Sequence, residues 1–323
     1  MYSIKEVQKF VKQFIENTKF DKEPKALYEP IDYVLSIGGK RLRPVLCVMA
    51  YNLYSDNIEE VINPAMGIEV FHNFTLLHDD IMDNADVRRN KPTVHKKWNE
   101  NTAILSGDAM MVEAYKQLLK YKGPNFREIL EVFTQTAGEV CDGQQYDMDF
   151  ENDNNVSIDD YLLMIKLKTA VLLAGSLKIG ALAAGAPVKD TEYLYDFGIN
   201  VGMAFQLQDD YLDVFGDENT FGKAIGNDIA SNKKTFLLIS ALNSAKGEIK
   251  EQLVKALNNQ YDKNEKIKVV TEIYKKLEVD KLSKQKMKDY LDKAFSILDK
   301  ISVENDRKQE LKDFALSLYN RVN

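Results

Sequence analysis

Residues Met66 to Asp83 form one apolar run that ends in three aspartates, a combination few folds accommodate. Apolar side chains recur at Met66, Ile68, Val70, Phe71, Phe74, Leu77 and Ile81, with no Pro or Gly after Gly67, so the spacing predicts a helix. Asp79 and Asp83 are four apart and project from one face, one turn above the other. Two like charges so placed destabilise a helix by about 0.2–0.5 kcal/mol, and Asp80 adds to the repulsion. Sinking the cluster into an apolar helix costs more unless cations compensate it. Three carboxylates on one turn suit a hard cation such as Mg²⁺, which keeps sites for water or substrate phosphate. The plain alternative is a solvated acidic turn at a helix end. A second copy favours the metal: Phe205-Gln-Leu-Gln-Asp-Asp-Tyr-Leu-Asp213 also follows an apolar helical run. Facing each other, the turn of Asp79, Asp80 and Asp83 and the turn of Asp209, Asp210 and Asp213 would hold a cluster of metal ions.

Breakers are scarce elsewhere: seven Pro and sixteen Gly in 323 residues favour helices, in one large domain or two small ones. Residues 3–17 read as an amphipathic helix. Pro24 and Pro30 bracket a loop before a helix that ends at Gly38-Gly39, and an apolar helix spans Val45 to Leu53. Past a loop through Arg88, Arg89 and Pro92, helices are expected from Lys96 to Lys120 and from Asn125 to Gln145, with a linker at Asn152 to Asn155. Ser157-Ile-Asp-Asp160 has the form of a capping box and opens the helix carrying Lys168-Thr169. A helix from Asp190 delivers the second acidic turn, and Lys246 to Asn323 reads as Lys-rich scaffold helices. A net charge of −7 argues against a general nucleic-acid binder. Cys47 and Cys141 make no disulfide framework, which fits a reducing cytoplasm, and the first residues lack the apolar core of a secretory signal. The most apolar run, Ala170 to Val188, contains Lys178 and four Gly or Pro residues, so it reads as a core helix and not an integral membrane span.

Cations stand near these elements. Gly38-Gly39 lets the backbone turn sharply, and Lys40 and Arg43 just after it suit a phosphate clamp. The same residues also read as a helix C-cap with cations complementing the dipole. Lys168 and Thr169 precede an apolar run and so lie toward the interior, where a Lys needs an anionic partner. Gln206, three residues before Asp209, points below the metals. The polar stretch Gly216 to Asn232, with Lys223 in it and Lys233 after it, reads either as a substrate-ordered lid or as a solvated loop.

In this order the pieces closely resemble the trans-isoprenyl diphosphate synthases (polyprenyl synthetases), over essentially the whole chain. They are Gly38-Gly-Lys-Arg-Leu-Arg-Pro44, His72 through Asp83 with Arg88-Arg89, Gly143-Gln144, Lys168-Thr169, Phe205 to Asp213, and Gly222-Lys223 with Asn232-Lys-Lys-Thr235. The resemblance implies an all-α antiparallel bundle, residues 1–323 as one domain, around a deep central cavity, working as a homodimer. It implies that Asp79, Asp80, Asp83, Asp209, Asp210 and Asp213 hold three Mg²⁺ ions, with Mn²⁺ able to substitute. It implies that Arg88, Lys168, Thr169, Gln206, Lys223 and Lys233 serve an allylic diphosphate, and that Gly39, Lys40, Arg43, His72 and Arg89 bind isopentenyl diphosphate. The reaction implied is metal-assisted ionisation, head-to-tail condensation and proton loss.

Three rivals fit less well. A class I terpene cyclase shares the first acidic motif but carries an Asn/Ser/Glu-type second motif and lacks the second diphosphate site. A non-catalytic synthase subunit usually loses one acidic motif, and a di-iron bundle would want two Glu-x-x-His pairs where only Glu69-x-x-His72 is present. Product length turns on Phe74 and Thr75. A bulky residue five positions before the first Asp resembles the pattern of archaeal-type geranylgeranyl synthases, with a farnesyl product as the alternative. Phe74 lies roughly 7–8 Å along the axis from Asp79 at ~1.5 Å per residue, yet Thr75 is nearer in line beneath it, at ~100° per residue.

Overall fold

Helix starts are written locally. Ser3 accepts a hydrogen bond from the Glu6 amide while the Glu6 carboxylate takes the Ser3 amide at 2.8 Å, and this capping box opens α1 (Ile4–Asn17). The expected box at Ser157 and Asp160 forms in the same way and opens α8 (Ile158–Ile165). The structure, a computed structural model, describes residues 1–216 and 225–319. Between those helices come α2 (Lys25–Ser36), α3 (Leu42–Asn52), a 3₁₀ turn (Ile58–Val61), α4 (Ile62–Met82), α5 (Val94–Lys97), α6 (Glu100–Leu118) and α7 (Phe126–Asn152). After α8 a π turn (Lys166–Ala170) leads into α9 (Val171–Ala183) and α10 (Val188–Phe215). Then follow α11 (Asn227–Ser231), α12 (Phe236–Ser244), α13 (Gly247–Leu257), α14 (Lys263–Lys276), α15 (Val279–Leu298) and α16 (Asn305–Tyr319). The all-α expectation is met; the described sheet is a two-residue antiparallel hairpin, β1 (Val87–Arg88) and β2 (Lys91–Pro92). No described helix is long and apolar enough to cross a membrane, and both cysteines are free.

Several expected helix features change. Pro30 lies inside α2, not before it; the ring's fixed φ suits a helix but gives up one backbone bond, a cost set against the face that Pro30, Ile31, Val34 and Leu35 bury together. The helix expected from Lys96 breaks at Trp98, because extended Asn99 caps the Thr102 amide at 2.8 Å and starts α6 anew. α7 runs on to Asn152, shortening the linker. Lys168 and Thr169 sit on a π turn, not on regular α-helix.

The chain divides into two compact units. The first comprises Met1–Thr134, Gly175–Tyr195 and Ile301–Leu311. Its central element is α4, buried on every side from Pro64 to Phe71, as an all-round apolar sequence requires. Toward its C-terminus α4 emerges, so that Asp80 is buried but Asp83 is exposed. The second unit comprises Gln135–Ala174, Asp196–Lys300 and Lys312–Asn323. Tyr161, Met164, Met203, Leu207, Tyr211 and Phe236 form one of its cores, and a second gathers apolar faces of α12 to α15, as a scaffold would.

Candidate active site

In the first unit the acidic turn closes α4, with the Asp83 amide bonded to the Asp79 carbonyl at 2.9 Å. β1 brings Arg88 back onto it. Arg88 Nε lies 2.9 Å from each oxygen of Asp80, and its Nη2 is 2.7 Å from Asp80 and 3.6 Å from Asp79. Burial still pushes the Asp80 carboxyl up, against the pull of Arg88. Arg88 is thus the acidic turn's own counter-charge.

The Gly-Gly segment forms a second cluster. Gly38 (φ 90°) and Gly39 (φ 133°) take a backbone that only glycine adopts freely, and a Cβ on Gly39 would meet Arg89 Nη1 at 2.5 Å. Arg89 in turn donates to the Gly38 carbonyl. Arg41 caps α3 in the left-handed region (φ 49°, ψ 41°), at a cost of about 1–2 kcal/mol for a residue with a side chain. It is held there by hydrogen bonds to Glu69 and the Leu35 carbonyl. Arg43 Nη1 lies 3.0 Å from His72 Nε2. A guanidinium can only donate, so this nitrogen accepts and the imidazole proton sits on Nδ1. Burial, then the charges of Arg43, Arg89, Arg88 and Arg41, hold His72 neutral, well below the usual range. Burial also draws Arg43 down to about 10. Gly39, Arg43, His72 and Arg89 therefore come together as a positively charged cluster beside exposed Lys40, which suits a diphosphate.

In the second unit the π turn aims two neighbouring side chains at two different helices. Lys168 Nζ donates to Asp147 on α7 at 2.6 Å, and Thr169 Oγ1 donates to Gln206 Oε1 on α10 at 2.9 Å. The Gln206 amide passes a hydrogen bond on to Asp210 at 2.9 Å, and buried Tyr161 caps the other Asp210 oxygen at 2.6 Å. Asp213 accepts from the Asp228 amide at 2.9 Å. Burial pushes Asp210 up to about 7, with the charge of Asp228 adding and that of Lys233 opposing. Asp213 is raised by burial too. Asp147 goes the other way: burial alone would raise it, but Lys233 and Lys168 outweigh burial. Lys168, Thr169, Gln206, Asp210, Asp213 and Lys233 are thus one electrostatic group; Lys223 lies outside the described residues.

Asp147, Tyr161 and Asp228 belong to these clusters without having been singled out in the sequence, and Arg41 and Glu69, which stood in the Gly-Gly motif and in the lone Glu-x-x-His pair, were given no role in them. Asp147 carried a signal too, lying four residues after Gly143 and so on the same helix face. Among the described residues no three His, Cys, Asp or Glu side chains converge as a ready-made metal nest. The donors nevertheless fit a divalent cation. They are carboxylates, and those of Asp80, Asp210 and Asp213 are pushed toward protonation by burial, a strain that an arriving cation relieves.

Comparison with known proteins agrees with this chemistry. The polyprenyl synthetase family profile matches residues 24–277. A short chain isoprenyl diphosphate synthase of Methanocaldococcus jannaschii is 42% identical over 259 residues, covering 80% of this chain and 79% of that protein. A geranylgeranyl diphosphate synthase of Saccharolobus solfataricus is 38% identical over 285 residues, covering 87% and 86%. A crystal structure of a geranylgeranyl pyrophosphate synthase matches with a TM-score of 0.94 at 42% identity, covering 100% of both chains. With two acidic turns, two cationic clusters and these relatives, the chain belongs to the polyprenyl synthetase family and is a trans-isoprenyl diphosphate synthase.

Proposed function

We propose that this prenyltransferase condenses isopentenyl diphosphate head-to-tail with an allylic diphosphate (dimethylallyl, geranyl or farnesyl) and releases geranylgeranyl diphosphate as its final product. The observation that carries the reading is that anion-binding groups come in two kinds: acidic turns that need cations, and a separate cationic cluster that needs an anion. A terpene cyclase has no use for the second, and the names of the relatives favour geranylgeranyl over farnesyl product.

Gly39, Lys40, Arg43, His72 and Arg89 hold the diphosphate of isopentenyl diphosphate; neutral His72 offers its Nδ1 proton as a donor. Arg88, Lys168, Lys223 and Lys233 bind the allylic diphosphate, Arg88 by exchanging Asp80 for phosphate oxygens and Lys168 by turning from Asp147. Asp79, Asp80, Asp83, Asp209, Asp210 and Asp213 make up the metal-binding set; Asp80 is freed for it as Arg88 turns to phosphate, and Asp210 is braced by Tyr161 and Gln206. When bound, divalent metal, which we take to be three Mg²⁺ with Mn²⁺ able to substitute, neutralises the charge that develops on the leaving diphosphate. As the allylic C–O bond breaks, Thr169 faces the cation with oxygen lone pairs, because its O–H is directed to Gln206 Oε1 in a hydrogen bond. The isopentenyl double bond forms the new C–C bond, and the proton lost goes to the released pyrophosphate, so no side-chain base is needed. We read residues 1–323 as one catalytic domain working as a cytoplasmic homodimer.

Incubating the purified protein with isopentenyl diphosphate and each allylic starter, then weighing the products, tests this reading. Geranylgeranyl diphosphate should dominate; a cyclised hydrocarbon or no condensation would refute it. Phe74 sets the length. Its half-buried ring stacks 5.6 Å from Phe71 and 4.8 Å from His78, whereas the Thr75 hydroxyl turns back to the His72 carbonyl at 2.8 Å. Phe74→Ala is therefore expected to add at least one isoprene unit to the product while condensation continues. A purely structural Phe would instead cost about 3–5 kcal/mol on truncation and leave the product unchanged, and a length shift confined to Thr75 variants would move the role there.

A further inference from the structure

Arg43 Nη1 lies 3.0 Å from His72 Nε2, and the charges of Arg41, Arg88 and Arg89 also reach this imidazole, so its surroundings are cationic before any substrate arrives. Within the same helix as His72, one turn earlier, stands a buried carboxylate. Glu69 is 2% exposed. Its Oε1 accepts from Arg41 and, at 2.8 Å, from the buried amide of Asn73, which also ties to the Glu69 carbonyl at 2.8 Å. Its Oε2 is buried with no hydrogen-bond partner, and so is Nε of Arg43. Fold stability alone does not account for such a group. A buried ion pair with an open oxygen is generally no better than apolar packing of the same volume, and the helix around it is apolar on every side. What the pair does is mechanical. Arg41 is the residue between Lys40 and the first turn of α3, in a left-handed conformation, with its other arm on the end of α2. Glu69 thereby ties the turn that carries Lys40 and Arg43 to the helix that carries His72. Its negative charge also opposes the downward pull of burial on Arg43 and Arg89.

We propose that Glu69 is a positioning residue of the isopentenyl diphosphate site. Through Arg41 it fixes the geometry of the Lys40–Arg43 turn, and it keeps the arginine cluster assembled until the diphosphate binds. The inference rests on the function proposed above and names a residue that touches neither substrate.

Glu69→Gln keeps shape and an acceptor for Arg41 but removes the charge. It is expected to raise KM for isopentenyl diphosphate about tenfold, the scale of one charge-assisted hydrogen bond, with allylic KM and kcat moving less than about threefold. Glu69→Asp, which restores the charge on a shorter arm, should recover part of the loss. Arg41→Gln breaks the same tie from the other side and should reproduce the Glu69→Gln pattern even if a Glu69 variant fails to fold. Equal rises in both KM values together with a lowered melting temperature, or an unchanged KM for isopentenyl diphosphate, would overturn the proposal. Titration calorimetry with isopentenyl diphosphate alone gives the same comparison as a Kd. A wild-type protein that binds this ligand without condensing it would refute the proposed reaction, and the Glu69 comparison would still be decided by its own Kd values.

Discussion

Asp79→Ala and Asp209→Ala are each expected to lower kcat by on the order of 10³-fold, the scale reached when one preorganised group that meets developing charge is lost. Chelation with EDTA should stop wild-type turnover, and added Mg²⁺ or Mn²⁺ should restore it. Both aspartates are only half-buried, so alanine there should move the melting temperature little. Asp80 and Asp210 are more deeply buried. Asp80 is gripped by Arg88 and Asp210 by Tyr161 and Gln206. Alanine at either of these buried positions strands its donors, and a fall in activity there would be mixed with a fall in stability. Kinetics at saturating substrate, with circular dichroism melts of each variant, separate the two cases. Undiminished turnover in EDTA would sink the metal reading.

Gly143→Ala should be nearly as damaging, although Gly143 touches no substrate. A Cβ there would lie 2.2 Å from the Lys168 amide nitrogen and 2.6 Å from the Leu167 carbonyl carbon. These are backbone atoms of the π turn and have no rotamer by which to retreat. α7 and the turn must separate, and the Lys168–Asp147 and Thr169–Gln206 bonds move with it. A displacement near 1 Å at positioned groups costs about 10²-fold in rate, and overpacking costs about 1–3 kcal/mol of stability. The expected result is a loss of about that size in kcat/KM with a lowered but cooperative melt. Near-wild-type kinetics would mean that the π turn is not held to a catalytic geometry.

Several elements were legible because the physics that makes them is local. The Ser157–Asp160 capping box closes within four residues, and the apolar periodicity before Asp79 states its own helix. The break at Asn99 is local too, an N-cap within three residues, whereas α2 continues through Pro30 because the face it buries outweighs the cost of the ring. The clusters divide in the same way. That Asp79 and Asp83 share a face follows from helix spacing alone.

By itself, then, the sequence determined an all-α chain with two acidic turns and the cations to serve them, because periodicity, capping and charge spacing act over one or two helical turns. Only the tertiary structure decided who holds whom: Lys168 to Asp147 across 21 residues, Thr169 to Gln206 across 37, and Tyr161 to Asp210 across 49. It alone placed Glu69 beneath the arginine cluster and folded Lys168 and Thr169 into a π turn. A buried polar group must find a partner, but which partner depends on where packing brings distant helices together, and no short-range pattern carries that information.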